Sequence, residues 1–529
     1  LEWRVERIRR RIEENVGYIA VISIYRKYNL VIILILFTVV FVGVSSYRAY
    51  SIRVKAATCA AEQADADCDG NIDITDFEIF RKEYLGELTT ISADFDRDGA
   101  ITIADFELWR RAYFDAAVPS VTSVATPIAT ATGVPASPTQ QATQIPTQKP
   151  TNTVAPTASP IPTVVGDATL QQIIDHNYSF AVAQLSKTIT VVKSTAYPDI
   201  TNSTGAWNTS GSSSWTSGFF PGTLWLLYEK TQDPKWKTAA QSWQAGIESQ
   251  KNNTSTHDVG FMLMSSFGQG ARLTNDPAYK QVLLTGAKSL STRYSSVVGC
   301  IRSWDSSASE YKVIIDNMMN LELLFWAAKN GGDPAFYTIA LSHALKTSEN
   351  HVRPDGSTYH LVTYDPASGG VKSKTTVQGY SNTSAWSRGQ AWAIYGFAIA
   401  YRETRDSRML DTARKVADYY VSHLPADNVP YWDFQAPNIP NEPRDSSSAA
   451  IAASGLLELH SLETDAAKKQ QYYNAAVAII RSLSGAGYSV EGTKYSSLLL
   501  HGTQNKNKGN YDTGIVYGDY YFLQALRKL

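Results

Sequence analysis

"TQDPKW" (231–236), "TNDPAY" (274–279) and "GGDPAF" (331–336) repeat one local pattern. Each places Asp where a helix N-cap belongs and Pro at the first helical position. There the missing proline N–H costs nothing, and its fixed φ suits the helix. "TRDSRM" (404–409) echoes the pattern without the proline. Apolar residues recur at helical spacing around these junctions. The periodicity predicts twelve helices, over 168–192, 218–231, 235–251, 259–272, 277–293, 317–330, 334–351, 388–403, 407–422, 447–461, 466–482 and 517–528. Twelve helices in six hairpins imply an all-α (α/α)6 toroid over 167–529. In that architecture the N-terminal ends of the inner helices and the loops around them form one cleft.

The remainder of the 529-residue chain divides by composition into 1–56, 57–117 and 118–166. Lys and Arg total 48 against 49 Asp and Glu, so no basic footprint points to nucleic acid. The 12 Trp and 30 Tyr suit a sugar-binding surface and a large core equally. "NLVIILILFTVVFVGVSS" (29–46) is an uncharged apolar run just long enough to cross a bilayer. Arg4, Arg7, Arg9, Arg10, Arg11, Arg26 and Lys27 precede it, and only Arg48, Arg53 and Lys55 follow closely. The positive-inside rule then places the N-terminal segment in the cytoplasm, makes 29–46 a transmembrane anchor and puts everything after it on the extracellular face. The competing reading is a signal cleaved near "VKA" (54–56), which would release a secreted protein. Residues 118–166 are Pro, Thr, Ala and Ser with almost no charge, the composition of a semi-extended linker.

Within 57–117, "DADCDGNIDITD" (65–76) and "DFDRDGAITIAD" (94–105) repeat at a spacing of 29 residues. Each offers carboxylates at loop positions 1, 3, 5 and 12 and a glycine at 6, which suits calcium and its demand for many hard oxygens. The expected ligands are Asp65, Asp67, Asp69, Asp73 and Asp76, then Asp94, Asp96, Asp98, Thr102 and Asp105. A short amphipathic helix trails each loop. This paired EF-hand-type arrangement resembles a dockerin module, which implies Ca2+ and a cohesin-like partner or an intramolecular contact. Ile74-Thr75 and Ile103-Ala104 depart from the usual docking positions and weaken the cohesin expectation. Cys59 and Cys68 flank the start of the first loop and either pair or stand as loop side chains; Cys300 is left over as a structural thiol.

In the toroid, four helix starts break the apolar pattern. "WTSGFFPG" (215–222) carries Trp215 and Phe219, and "THDVGFM" (256–262) carries His257 and Asp258. "IIDNMMN" (314–320) carries Asp316, and "GYSNTSAWSRGQAW" (379–392) carries Trp386, Arg388 and Trp392. On spacing alone, N-capping is the favoured role for both aspartates. The tryptophans also read as core, and Arg388 as a structural ion-pair partner.

Taken together, these segments resemble glycoside hydrolase family 88, the unsaturated glucuronyl hydrolases. The match runs in order through "WTSGFF", "HDVGF", "IIDNMMNL", "HALKT", "GSTYH", "SAWSRGQAWAIYGFA", "YWDF", "PRDSSSAAIAASGLLEL" and "YGDYYFLQAL". The resemblance implies an (α/α)6 barrel that hydrolyses the unsaturated uronic acid left by polysaccharide lyases at a non-reducing end, with no cofactor for catalysis. It makes Asp316 the acid/base and Asp258 the second important carboxylate. It implies substrate contacts from Trp215, Phe219, His257, Trp304, His360, Gln378, Trp386, Arg388 and Trp392. Asp445 in "PRDSSS" reads as a helix cap first. The alternatives are an unsaturated rhamnogalacturonyl hydrolase on the same fold, a polysaccharide lyase, and a non-catalytic sugar-binding protein.

Overall fold

The computed structural model describes residues 168–529 continuously and, ahead of them, 65–67, 74–84, 88, 92–95 and scattered positions from 97 to 112. The apolar run 29–46, the linker, Cys59 and Cys68 lie outside the described residues. Among the described residues, no helix is long and apolar enough to cross a membrane. The chain divides into two units, Leu1–Pro150 and Thr151–Leu529.

The second unit carries the twelve helices at the expected places. Six are outer helices: α1 (Leu170–Val191), α3 (Pro234–Ala245), α5 (Pro277–Ser291), α7 (Ala335–His351), α9 (Ser407–Ser422) and α11 (Ala466–Leu483). They alternate with six inner ones. These are α2 (Phe219–Thr231), α4, α6 (Leu321–Lys329), α8 (Ser387–Thr404), α10 (Ser446–Leu462) and α12 (Val516–Lys528). Helix α4 is composite, running from Val259–Leu263 through a π turn at Met264–Gly268 into Gln269–Thr274. A 3-10 turn, Ile315–Asn320, leads into α6.

The two sets differ as their sequences require. Outer α9 buries only Met409, Leu410, Thr412, Ala413, Val416, Ala417, Tyr419 and Tyr420, one face of a helix. Inner α8 buries every residue from Ser387 to Ala400, because a helix inside a ring has protein on all sides. The ring closes as α2 meets α12, α12 meets α10, α10 meets α8, α8 meets α6, α6 meets α4 and α4 returns to α2. The aspartates of the repeated junctions cap as expected: Asp233 accepts from Lys235 N–H at 3.0 Å, Asp276 from Ala278 at 2.8 Å, and Asp333 from Ala335 at 2.9 Å.

The expectation of an all-α unit needs one correction. Short antiparallel strands decorate the barrel: β1 (Tyr197–Thr201) with β2 (Trp207–Ser210), β3 (Tyr294–Ser295) with β4 (Cys300–Ile301), the sheet β5 (Tyr311–Ile314)–β6 (Leu361–Tyr364)–β7 (Val371–Thr375), and β8 (Gly502–Asn505) with β9 (Asn510–Thr513). They are too brief for the strand period to stand out against the helical pattern. Buried Cys300 sits in a small cluster with Tyr311, Val313, Val362 and Tyr364, as a structural thiol should.

In the first unit, helix Ile74–Tyr84 follows the first acidic loop. The 29-residue repeat is legible in its contacts. Asp76 Oδ1 accepts Ala66 N–H at 2.5 Å, and Asp105 Oδ1 accepts Phe95 N–H at 2.7 Å. Ala66, Phe80, Ala93, Phe95 and Trp109 form a small core. The carboxylates of Asp65, Asp67 and Asp76 bring one oxygen each within 4.8 Å of the others. Asp69, Asp73, Asp96, Asp98 and Thr102 lie outside the described residues.

Candidate active site

All six inner helices start at the same end of the barrel and contribute to one constellation. Trp215 precedes α2, His257 and Asp258 open α4, and Asp316 lies in the turn before α6. Trp386 and Arg388 open α8, Asp445 caps α10, and Tyr517 lies in the first turn of α12. A cavity of about 300 Å³ is lined there by Trp215, His257, Asp258, Phe261, Trp304, Ile314, Asp316, Gln378, Arg388, Gln504, Asn505, Lys508 and Asn510.

Asp316 is held by the sheet behind it. Strand β5 pairs Ile314 with Leu361 of β6, and Ile315 N–H then bonds the His360 carbonyl at 3.0 Å. This sets the His360 ring beside the carboxyl, with Nε2 3.8 Å from Asp316 Oδ2. The His360 Nδ1 accepts the backbone N–H groups of Val377 (3.1 Å) and Gln378 (3.3 Å). An acceptor Nδ1 leaves the proton on Nε2, facing Asp316. Burial, with the positive Arg388 nearby, drives the His360 pKa down to about 3, so the ring is neutral.

Asp316 is 9 % exposed, and its Oδ2 has no hydrogen-bond partner. Burial raises its pKa to about 7. The Arg388 charge and the backbone N–H of Asp316 itself pull the other way, and the Asp258 charge adds to the rise. Neither aspartate caps its helix through its side chain, so the favoured capping reading does not hold. Asp258 Oδ2 instead accepts the Thr256 hydroxyl at 2.8 Å, and His257 Nε2 stands 3.3 Å from Oδ1. His257 is buried, and burial lowers its pKa against the pull of Asp258.

Arg388 is a buried strut. Nη1 donates to Asp445 Oδ2 at 2.8 Å and to the Thr503 carbonyl; Nη2 donates to Gln378 Oε1 at 2.9 Å and the Gln504 carbonyl at 2.6 Å. All four Nη hydrogens are therefore engaged. Burial works against the charge, but Tyr517, Asp445 and Asp316 together hold the Arg388 pKa above the ordinary value. Asp445 also accepts Ser447 and Ser448 N–H through Oδ1, the cap its sequence suggested.

The expected residues thus fall into three groups. Trp215, His257, Asp258, Trp304, Asp316, Gln378 and Arg388 line the cavity. His360 and Trp386 stand behind that wall, their rings 4.6 Å apart, with Trp386 4.6 Å from the Arg388 guanidinium. Phe219 and Trp392 are corrections: both are fully buried in an aromatic core with Phe261, Tyr517 and Tyr521. They lie inside their helices, where the ring of inner helices covers every face. Phe261, Ile314 and the β8–β9 hairpin residues Gln504, Asn505, Lys508 and Asn510 also line the cavity and stand outside the expected substrate contacts. The "NKG" turn (507–509), with Gly509 at φ +79°, was the one local signal for that hairpin.

Known proteins resemble this chain across the helical unit. Residues 183–429 match the family model described as Glycosyl Hydrolase Family 88. The chain is 45 % identical over 324 residues to the unsaturated glucuronyl hydrolase of Formosa agariphila, covering 60 % of this chain and 80 % of that one. It is 35 % identical over 320 residues to the unsaturated chondroitin disaccharide hydrolase of Streptococcus pneumoniae, covering 59 % and 81 %. Among solved structures, an unsaturated glucuronyl hydrolase specific for heparin superposes with a TM-score of 0.66 at 37 % identity, over 68 % of this chain and 97 % of that one.

Proposed function

Because the chain belongs to Glycosyl Hydrolase Family 88, we propose that its cavity seats the unsaturated uronic acid of an oligosaccharide's non-reducing end, with Asp316 as proton donor. The protein is a glycosidase that hydrolyses oligosaccharides ending in such a residue. One observation carries the assignment of Asp316: a carboxyl on the cavity wall, nine-tenths buried, whose pKa of about 7 lets it arrive protonated.

The substrate's C4=C5 bond is an enol ether conjugated with the ring oxygen. Asp316 gives its proton to C4, leaving positive charge shared between C5 and the ring oxygen. Water adds at C5 while the Asp316 carboxylate takes its proton, so one group serves as acid and then base. The hemiketal opens to a C5 ketone, and the hemiacetal left at C1 collapses to an aldehyde, releasing the next sugar. Two carboxylates astride the glycosidic oxygen, as in ordinary glycosidases, are unnecessary. His360 Nε2–H steadies the carboxylate once the proton has left. Asp258, braced by Thr256 and His257, binds sugar hydroxyls. Gln378, with Oε1 tied to Arg388, turns its amide N–H groups toward the uronate carboxylate. Replacing Asp316 with Asn should abolish loss of the enol-ether absorbance while leaving the fold intact; full activity in that variant would end the proposal. Lyase-generated glycosaminoglycan fragments are the substrates to try first, since relatives are named for chondroitin disaccharides and heparin.

The proposal extends to the N-terminal unit as a dockerin-like module that binds Ca2+. The clustered oxygens of Asp65, Asp67 and Asp76 fit a hard cation, and the repeated tethers at Asp76 and Asp105 support a second loop of the same kind. The ion would order the loops and takes no part in the hydrolysis. The apolar run 29–46 would hold the enzyme at the extracellular face.

A further inference from the structure

Beside the active-site cavity lies a second one, of about 400 Å³, lined by Thr254, Thr292, Arg293, Tyr294, Ser295, Arg302, Asp305, Tyr311 and Pro366. It shares no lining residue with the first, yet three segments serve both. Thr254 faces the second cavity and His257 and Asp258 the first; Arg302 faces the second and Trp304 the first; Tyr311 faces the second and Ile314 the first. The two cavities draw their walls from neighbouring residues of the same strips of chain. Thr254 and His257 are separated by at most about 10 Å of chain, roughly the length of two sugar rings.

The second cavity is cationic. The Arg293 side chain is buried at 5 % exposure and spends its donors internally, on the Arg302, Thr254 and Ser303 carbonyls and on Asp305. Arg302 is different. Its guanidinium lies 4.6 Å from the Tyr311 ring centroid, and its Nη1 reaches Asp305 only at 4.0 Å. Its Nε is buried with no hydrogen-bond partner. Two arginines against the single Asp305 leave a net positive charge, and the Arg302 side chain, 36 % exposed, carries it to the cavity wall.

We infer that this groove is a distal subsite for an anionic group carried by the substrate two sugars beyond the cleaved bond, with Arg302 as its specificity-determining residue. The inference rests on the reading of the first cavity as the uronate site. In a polymer where uronic acids alternate with a second sugar, the residue two units past the scissile bond is again a uronate. Its carboxylate, or a sulfate on a neighbouring hydroxyl, presents the same chemistry to Arg302. A disaccharide is too short to reach it.

The test uses the full chain, unmodified and as Arg302→Gln, on unsaturated disaccharides and hexasaccharides made by lyases from unsulfated and from sulfated polymers. At low salt, kcat/KM of Arg302→Gln on hexasaccharide should fall about five-fold, as for one partly exposed charge pair, with the disaccharide unchanged. The difference should shrink as salt rises. A fall confined to the sulfated hexasaccharide also supports the subsite and identifies sulfate as the anion. Equal losses on both lengths, or none on either, would overturn it. Inactivity of the unmodified protein on every unsaturated substrate would instead overturn the functional reading beneath it.

Discussion

The side-chain oxygen of Asn320 accepts the Phe261 N–H at 2.7 Å, across 59 residues of sequence. It ties the start of α4, which carries Asp258, to the turn that carries Asp316. Gly260 completes the joint: a Cβ there would stand 2.5 Å from Asn320 Cα. The glycine of "HDVGF" and the last asparagine of "IIDNMMN" therefore set the spacing between the two carboxylates.

Gly260→Ala should push these segments apart. Overpacking against backbone costs about 1–3 kcal/mol. Activity measured well below the unfolding temperature should fall further than the lost stability explains. Thermal unfolding and kcat together check this; wild-type values for both would show that the joint has slack.

The Asp316 pKa of about 7 has two consequences. In the proposed mechanism the acid form is the donor, so kcat/KM should hold at low pH and decline as pH rises past about 7. The second concerns stability. The folded pKa lies above the ordinary value of 3.8. Between these values the folded chain binds the extra proton, so stability falls as pH rises through the window and levels off above it. At pH 8 the buried charge costs on the order of 4 kcal/mol. Asp316→Asn should remove that cost, giving a variant more stable than wild type at pH 8 but little changed at pH 4. Denaturant unfolding at both pH values measures the difference; an equal gain at each would refute it. Asp519, raised to about 8 by burial, titrates in both proteins and cancels.

Arg388→Ala should be the most damaging single change. It strips the cation from buried Asp445 and a donor from the Thr503 and Gln504 carbonyls, at a cost of about 3–5 kcal/mol. It also withdraws a positive charge that holds the Asp316 pKa down, so the alkaline limb of the rate profile should move upward. Lysine has no planar fork to serve four acceptors, and Arg388→Lys should recover only part of the loss. Urea unfolding and pH-rate profiles of the two variants test each half separately.

On the proposed Ca2+-binding role of the acidic loops, chelation should unfold the N-terminal unit and spare the hydrolase. In calorimetry, EDTA should shift one transition down while hydrolysis rates stay within error of the untreated enzyme. A matching fall in hydrolysis would show that the ion serves the catalytic unit instead.

Much of the catalytic unit could be read from residues alone. Apart from 235–251, which ends at Ala245 and is followed by a 3-10 turn over Glu248–Asn252, the helices fall within a few residues of expectation because helical period and N-cap chemistry act over one or two turns; Asp233, Asp276 and Asp333 need only the amides two residues ahead. The motif glycines and asparagines were quotable, but their purpose was not, since Gly260 acquires meaning only beside Asn320.

What the sequence determined by itself was the ring of helix pairs; its local rules cast Asp258 and Asp316 as caps, and only the family resemblance marked them as site residues. Local rules act on neighbours, and those neighbours are adjacent in the chain. Tertiary structure alone decided which aromatics line the cavity and which fill the core, separating Trp215 from Phe219 across four residues of one motif. It also made Arg388, on the cavity wall, the ion-pair strut that its sequence had offered, through partners 57 to 116 residues away. Above all it made Asp316 an acid. Nothing in "IIDNMMN" states a pKa; burial among packed helices does, because desolvation depends on what the rest of the chain places around the carboxyl.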